Sequence, residues 1–287
     1  MATARHPALS ARVWPVLAAG EWFKARKRPA SYITFGFFAF VTLMDHGESL
    51  FRSRRDADYT YALPEAWSSV FSGDSVLMLF FGCIALVMLV SSEFAWRTAR
   101  QNVIDGLSKS QWFWGKAMLL PMVGLVFLAT KLGIGGGSAV LAGGFTDLSG
   151  PAFPPSVLAA SGGLLLAFLT VGSLAFLFST WIRSSGPAMA AWFFWVAMGE
   201  QIVPQLLGRP FPALRTALGY LPFNSAQKLL EFWVWDTSAY QRIVAQAASA
   251  EGTPPPPPDL ALDVAVNVGW VVVLLGVAYW LYSRRDL

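Results

Sequence analysis

Few side chains in this sequence are suited to catalysis or to metal binding. Two histidines, His6 and His46, and one cysteine, Cys83, occur among 287 residues. A nucleophilic triad built on histidine, or a zinc site of several histidines and cysteines, needs more imidazoles and thiols than this. His46 follows Asp45 and precedes Glu48, which offers ligands for a cation, but a lone histidine near a membrane interface is more often solvated. We therefore predict no catalytic residue, no resident metal and no cofactor in this chain.

Two ionisable residues, Lys131 and Glu200, stand inside long apolar runs, where a charge costs a few kcal/mol and marks a functional candidate. Lys131 lies about 14 residues into the apolar run 117–132, the third of six, and Glu200 about 13 residues into the fifth, 187–207. At about 1.5 Å per residue, both lie about 20 Å from the cytoplasmic ends of these runs. One hypothesis is that they pair near an outer gate. The alternative is that each extends separately to the outer interface. Phe194 and Trp195, also in the fifth run, either line an apolar path for a substrate or face lipid.

The elements that position these residues are predicted from composition and run length. Hydrophobic residues make up 55% of the chain and charged residues 13%, against roughly half and a quarter in a soluble domain, so a soluble enzyme is disfavoured. A membrane-spanning helix needs about 20 apolar residues. Six nearly uncharged runs approach that length and predict an all-α polytopic membrane protein with six transmembrane helices, at residues 29–44, 75–90, 117–132, 157–182, 187–207 and 264–282.

The distribution of Lys and Arg predicts the orientation of these helices. Thirteen of the 21 basic residues fall in residues 1–28, residues 91–116, the turn after the fourth span and the tail, all on one side of the membrane. The positive-inside rule then places both termini in the cytoplasm, which fits a multi-pass protein of a prokaryotic inner membrane in contact with its lipids. Because the basic residues are dispersed and form no recognition motif, we predict no nucleic-acid partner.

Two segments outside the runs have a distinct character. Residues 1–28 form the predicted N-terminal part, in which apolar and basic residues over 13–28 suit an interfacial elbow helix leading into the six-span transmembrane domain 29–287. The outer loop 208–262 is too long for a simple turn. Asn224 or Ser225 in this loop is placed to cap a short amphipathic helix, and five consecutive prolines at 254–258 predict an extended spacer.

The cytoplasmic segment 91–116 resembles a known signature. The residues that carry the resemblance are, in order, Glu93, Thr98, Arg100, Asp105, Gly106, Leu107, Ser108, Lys109 and Lys116. Their order is similar to the motif that follows the second helix of ABC type-2 permeases, which are the membrane subunits of ATP-binding-cassette exporters. The ending SRRDL at 283–287 is similar to the tail of such permeases. On composition alone, the alternative is a juxtamembrane loop whose charges are merely solvated.

The resemblance implies a mechanism. A coupling helix, expected from Glu93 to about Asp105, would dock on a cytoplasmic ATPase through Glu93, Arg97, Thr98, Arg100, Asp105, Gly106 and Lys109. No GxxxxGK[ST] phosphate-binding motif occurs in the sequence, so this chain is predicted not to be an enzyme, and ATP and Mg would be bound by a partner ATPase. Two ATPase copies and a second permease chain, identical or related, are the implied partners. The alternative function is an ATP-independent secondary transporter or channel.

Overall fold

A computed structural model describes residues 13–56, 59–72, 74–96, 101, 104, 107–144, 152–208, 210–234, 241, 244–246 and 257–285. The described residues are helical almost throughout, and no β-strand occurs among them. The predicted all-α class is therefore confirmed.

The first two helices meet at a sharp break. Helix α1 spans Val13–Lys27 and α2 spans Pro29–Arg55, and Arg28 between them is extended, with φ −91° and ψ 128°. Pro29 explains the position of the break, because proline lacks the N–H that a helix interior needs but suits the first helical position. The helix continues well past residue 44, where the apolar run ends, because its buried face continues along Phe38, Thr42 and His46.

The remaining helices follow in order. They are α3 (Ala66–Ser72), α4 (Ser75–Ala95), α5 (Lys109–Ala117), α6 (Leu119–Gly143), α7 (Pro155–Ile182), α8 (Ser185–Phe194), α9 (Glu200–Gly208), α10 (Pro212–Leu218), α11 (Pro222–Val234) and α12 (Leu260–Arg284). Within the described parts of the chain, four helices are long and apolar enough to cross a membrane: α4, the continuous α5–α6 rod over Lys109–Gly143, α7 and α12. The predicted runs 75–90, 117–132, 157–182 and 264–282 fall within these four helices.

Helix α7 lies at the centre of the bundle. It packs against α4, α6, α8, α11 and α12, and the ring of its Phe168 is fully buried between α4 and α6. Gly82 of α4 and Gly124 of α6 make room for this ring, since a Cβ atom on Gly124 would lie 2.6 Å from Phe168 Cδ1. Small residues that let helices approach closely are the usual means of helix association in membranes.

The fifth apolar run, 187–207, is an interrupted helix. A π-helical turn over Trp195–Gly199 separates α8 from α9, and Pro204 lies inside α9. The chain then folds back through α10 into α11, which packs against α3, α7 and α12. The predicted short helix of the outer loop is therefore present, but it begins at Pro222, two residues before the predicted cap Asn224.

Candidate functional site

Five charged side chains meet where α4 ends and form what we call the Glu93 cluster: Glu21, Lys24, Arg28, Glu93 and Lys116. Glu93 is only 1% exposed, and its Oε1 lies 2.6 Å from Lys116 Nζ. Lys116 also donates to Glu21. Lys24 Nζ lies 3.0 Å from Glu21 and 3.5 Å from Glu93, and Arg28 Nη2 lies 3.5 Å from Glu93. Buried charges persist only when they are paired in this way.

The Glu93 cluster joins three helices. Glu21 and Lys24 belong to α1, Glu93 to α4 and Lys116 to α5. Arg28, at the break before α2, also donates to the hydroxyl of Ser92 and, at 3.0 Å, to the Leu89 carbonyl. Burial lowers the pKa of Lys24, but the carboxylates of Glu21 and Glu93 raise it more, so its pKa lies above the usual value. The ammonium of Lys24 therefore stays charged at physiological pH.

The position of Glu93 differs from the sequence prediction. Helix α4 ends at Ala95, so Glu93 belongs to the last turn of an apolar helix and not to the start of a separate helix over 93–105. Its carboxylate faces α1 and α5, where three cations hold it. Glu93 is thus buried inside the protein, and direct docking through its side chain is not what this geometry supports.

Of the other predicted coupling residues, the structure describes only Lys109. Arg97, Thr98, Arg100, Asp105 and Gly106 lie outside the described residues. Lys109 opens α5, which begins with a capping box formed by Ser108 and Gln111, and Lys109 Nζ donates to the Arg285 carbonyl at 3.0 Å. Lys109 therefore links the end of the 91–116 segment to the C-terminal end of α12.

Lys131 is bound to Asp74 and not to Glu200. Its side chain is 0% exposed, and its ammonium donates to Asp74 Oδ1. The other carboxylate oxygen, Oδ2, accepts from the Thr42 hydroxyl of α2. The hypothesis of a Lys131–Glu200 pair is therefore wrong, and so is the alternative in which Lys131 extends to the interface, because the nearer carboxylate at the start of α4 satisfies it inside the bundle.

His46 and Tyr61 lie next to the Asp74–Lys131 pair. His46 is 1% exposed, and its Nε2 lies 4.0 Å from Asp74 Oδ1. On the other side of the ring, Nδ1 lies 3.0 Å from the Tyr61 hydroxyl. Burial raises the pKa of Tyr61, so its hydroxyl keeps its proton. The prediction that His46 is simply solvated is wrong, because the chain between α2 and α3 folds over it. We refer to Thr42, His46, Tyr61, Asp74 and Lys131 as the Asp74 cluster.

Glu200 binds the start of α11. Its carboxylate accepts from the backbone N–H of Phe223 at 2.9 Å and of Asn224 at 3.0 Å, and these are the free N–H groups and the positive dipole end of that helix. Pro204, four residues on, cannot donate to the Glu200 carbonyl, and the Asn224 side-chain amide donates there at 3.1 Å instead. Glu200 therefore caps α11, which explains why α11 begins before Asn224.

The two predicted aromatic pathway residues occupy different environments. Phe194 is 59% exposed at the end of α8, whereas Trp195 is half-buried and its Nε1 donates to Glu200 Oε1 at 3.1 Å. An open cavity of about 730 Å³ lies between α9 and α11, and the polar side chains among its lining residues include Glu200, Gln201, Gln205, Asn224, Gln227 and Lys228. Glu200 thus lies beside a polar space, with Trp195 holding its carboxylate.

Sequence reasoning missed the partners that complete both clusters. Asp74 stands immediately before the second apolar run, and a buried lysine near the same membrane boundary is a signal that would have found it. Glu21, Lys24 and Lys116 lie eight, five and one residues before predicted spans, on the Glu93 side. For Tyr61 we find no such signal, because its contact with His46 depends on how the loop folds.

These helices and paired charges define a polytopic helical membrane protein, with one ionic cluster at each end of α4. A family model described as "ABC-2 family transporter protein" matches residues 71–287. The chain belongs to this family and is a multi-pass membrane permease of the ABC type, as the sequence resemblance predicts. The family in general implies a partner ATP-binding subunit. No curated protein matches the chain.

Proposed function

We propose that this chain is the six-span permease subunit of an ABC exporter of a prokaryotic inner membrane, with both termini in the cytoplasm. In this proposal α1 is an interfacial elbow, and α2 and the interrupted α8–α9 helix complete the set of spans. Two copies of a cytoplasmic ATPase bind ATP and Mg and dock on the 91–116 segment. A second permease chain, identical or related, completes the pathway.

The Glu93 cluster carries this proposal. The segment from 96 to 108 connects the end of α4 to the start of α5, and the ion pairs of the cluster join these two helices to α1. A displacement of the connecting segment therefore pulls on α1, α4 and the α5–α6 rod together, since the ion pairs between them are buried and short. This is the mechanical connection that an ATPase acting on the segment requires.

An exposed apolar face supports the second permease chain. Several large apolar side chains along the interrupted helix are exposed: Phe193, Phe194, Met198, Ile202, Leu206 and Leu207. Polar Gln201 and Gln205 are exposed on the same helix. Gln201 and Gln205 line the cavity between α9 and α11. Exposure of carboxamides to lipid is unfavourable, so this side of the helix suits a water-filled pathway, beside the apolar face that a second chain would cover.

The experiment separates docking from transmission. The chain is purified in mild detergent from its native membrane, the accompanying ATPase is identified, and the complex is assayed for vanadate-sensitive ATP hydrolysis and transport in liposomes. Arg97→Glu combined with Arg100→Glu is expected to abolish association with the ATPase. Glu93→Gln is expected to keep association but to lose most of the transport per ATP hydrolysed, because only the internal linkage changes. Arg55→Glu, at the far end of α2, is the matched control and should alter neither.

Two outcomes would contradict the proposal. A purified chain that has no ATPase, yet moves solute in liposomes, would support the ATP-independent secondary transporter instead. A Glu93→Gln variant that detaches the ATPase while the arginine variant keeps it would reverse the assigned roles of the two sites.

A further inference from the structure

We propose that Asp45, His46 and Asp74 bind a divalent transition-metal ion, and that Lys131 is an internal cation that competes with the metal for Asp74. Ligand atoms of these three residues lie within 4.8 Å of one another. One imidazole nitrogen with two carboxylate oxygens is a mixed ligand set that suits Zn²⁺ or Mn²⁺. The sequence pattern does not indicate this set, because His46 and Asp74 are 28 positions apart.

His46 has the geometry of a metal-binding histidine. Its Nδ1 lies 3.0 Å from the Tyr61 hydroxyl, and Nε2 is buried, has no hydrogen-bond partner and lies 4.0 Å from Asp74 Oδ1. In the tautomer that binds a metal, Nδ1–H donates to the Tyr61 oxygen and the Nε2 lone pair is free. A ring fixed through one nitrogen, with the other directed at a carboxylate, is the arrangement that positions imidazole for a metal. In a tetrahedral site with bonds of about 2.0 to 2.2 Å, ligand atoms lie roughly 3.3 to 3.6 Å apart, so Asp74 Oδ1 and His46 Nε2 must approach by about half an ångström when the metal binds.

Asp74 is oriented for the same role. The Thr42 hydroxyl donates to Oδ2, and the Lys131 ammonium donates to Oδ1, the oxygen nearer to His46. The ammonium therefore occupies the Asp74 oxygen that a metal held by Asp74 and His46 would use. Because two carboxylates face one ammonium and a histidine, the group keeps a net negative charge that attracts a divalent ion, and Lys131 must move aside for the metal to bind.

The third ligand provides a route from solvent. Asp45 precedes His46 on α2 and is exposed, whereas His46 and Asp74 are buried. An ion can therefore meet the Asp45 carboxylate first and then pass to the two buried ligands. This proposal does not depend on ATP-driven transport, since it concerns only the residues of this chain.

The test is Zn²⁺ binding to the full-length chain, purified in detergent with a tag that contains no histidine and stripped with chelator. Calorimetry and metal analysis are expected to find about one Zn²⁺ per chain. His46→Ala and Asp45→Asn each reduce affinity by at least about tenfold, and Asp45→Asn leaves the Asp74–Lys131 pair intact, so it reports on binding even if other variants fold poorly. His6→Ala removes the other histidine of the chain and should bind as the wild type does.

Replacement of Lys131 gives the sharpest result. Lys131→Met is expected to bind Zn²⁺ at least about tenfold more tightly, and Zn²⁺ should raise its unfolding temperature more than that of the wild type. Lys131→Gln serves as the second variant if Lys131→Met is not recovered. The proposal is overturned if His46→Ala binds Zn²⁺ as tightly as the wild type, if His6→Ala loses the site, or if neither Lys131 variant binds more tightly.

Discussion

Replacement of Lys116 by methionine should destabilise the protein by about 3 kcal/mol. The ammonium lies 2.6 Å from Glu93 Oε1, and at that separation the direct attraction is about 6 kcal/mol with an effective dielectric constant of about 20. Desolvation of the buried ammonium offsets part of this attraction. Loss of one partner of a buried pair costs about 3 to 5 kcal/mol, and the lower end applies because Lys24 and Arg28 still face Glu93 at 3.5 Å.

Thermal unfolding in detergent measures the effect. At roughly 2 to 4 °C per kcal/mol for a chain of this size, Lys116→Met should unfold about 6 to 12 °C below the wild type. The double variant Lys116→Met, Glu93→Gln should lose less than the sum of the two single variants, because it removes both charges of the pair. Lys27→Met is the matched control, since Lys27 is exposed at the end of α1, and it should change stability by less than about 0.5 kcal/mol.

The result that refutes this reasoning is additivity. If the double variant loses the full sum of the two single losses, Lys116 and Glu93 do not stabilise one another. If Lys116→Met unfolds at the same temperature as the wild type and the Lys27 control, the Lys116 ion pairs contribute no stability. In either case the linkage between α1, α4 and α5 would lose its energetic basis.

Three further substitutions test other parts of the bundle. Asp74→Asn should lower the free energy of unfolding by about 3 to 5 kcal/mol, because Lys131 stays buried without a carboxylate. Adding Lys131→Met should recover at least half of the lost thermal stability, and the absence of any recovery would argue against the pair. Glu200→Gln should cost about 1.5 to 3 kcal/mol by removing a charged acceptor from the start of α11, and unchanged protease resistance of that helix would contradict this. Gly124→Val should cost about 1 to 3 kcal/mol by overpacking the Phe168 ring. The yield of monodisperse protein in size-exclusion chromatography should fall, and it should fall further for Gly124→Val than for Gly124→Ala, because the larger side chain meets the ring of Phe168 and a methyl group of Leu165. A normal yield for Gly124→Val would refute the packing.

Local signals in the sequence predict much of the fold. Proline at position 29 marks the start of α2 because it fits the first helical position and not the interior. Four of the apolar runs lie in helices that are long enough to cross a membrane, since run length and hydropathy are properties of the segment itself. The order of polar residues after the second run is likewise local, and it leads to the family that the match over residues 71–287 shows.

The partners of buried charges are not local, and there the sequence misleads. Residue counting gives Lys131 and Glu200 the same expected depth in the membrane, but depth is one coordinate of three. Helix α6, which carries Lys131, packs against α2, α4 and α7, and Asp74 stands directly before α4. Glu200, in contrast, meets the start of α11, which only the return of the chain after α9 brings to it. Neighbouring helices, and not equal depths, decide which charges pair.

The two ionic clusters bind the same pair of antiparallel helices at opposite ends. Asp74 and Glu93 are 19 residues apart along α4, about 28 Å at about 1.5 Å per residue, close to the roughly 30 Å thickness of a hydrocarbon core. Lys131 and Lys116 face them from the α5–α6 rod. Because the rod is held at both ends, α4 and α5–α6 resist bending or sliding past one another. A force applied to the segment between them should therefore tilt the pair as one body and carry the movement to the Asp74 cluster, where Thr42 and His46 of α2 make contact.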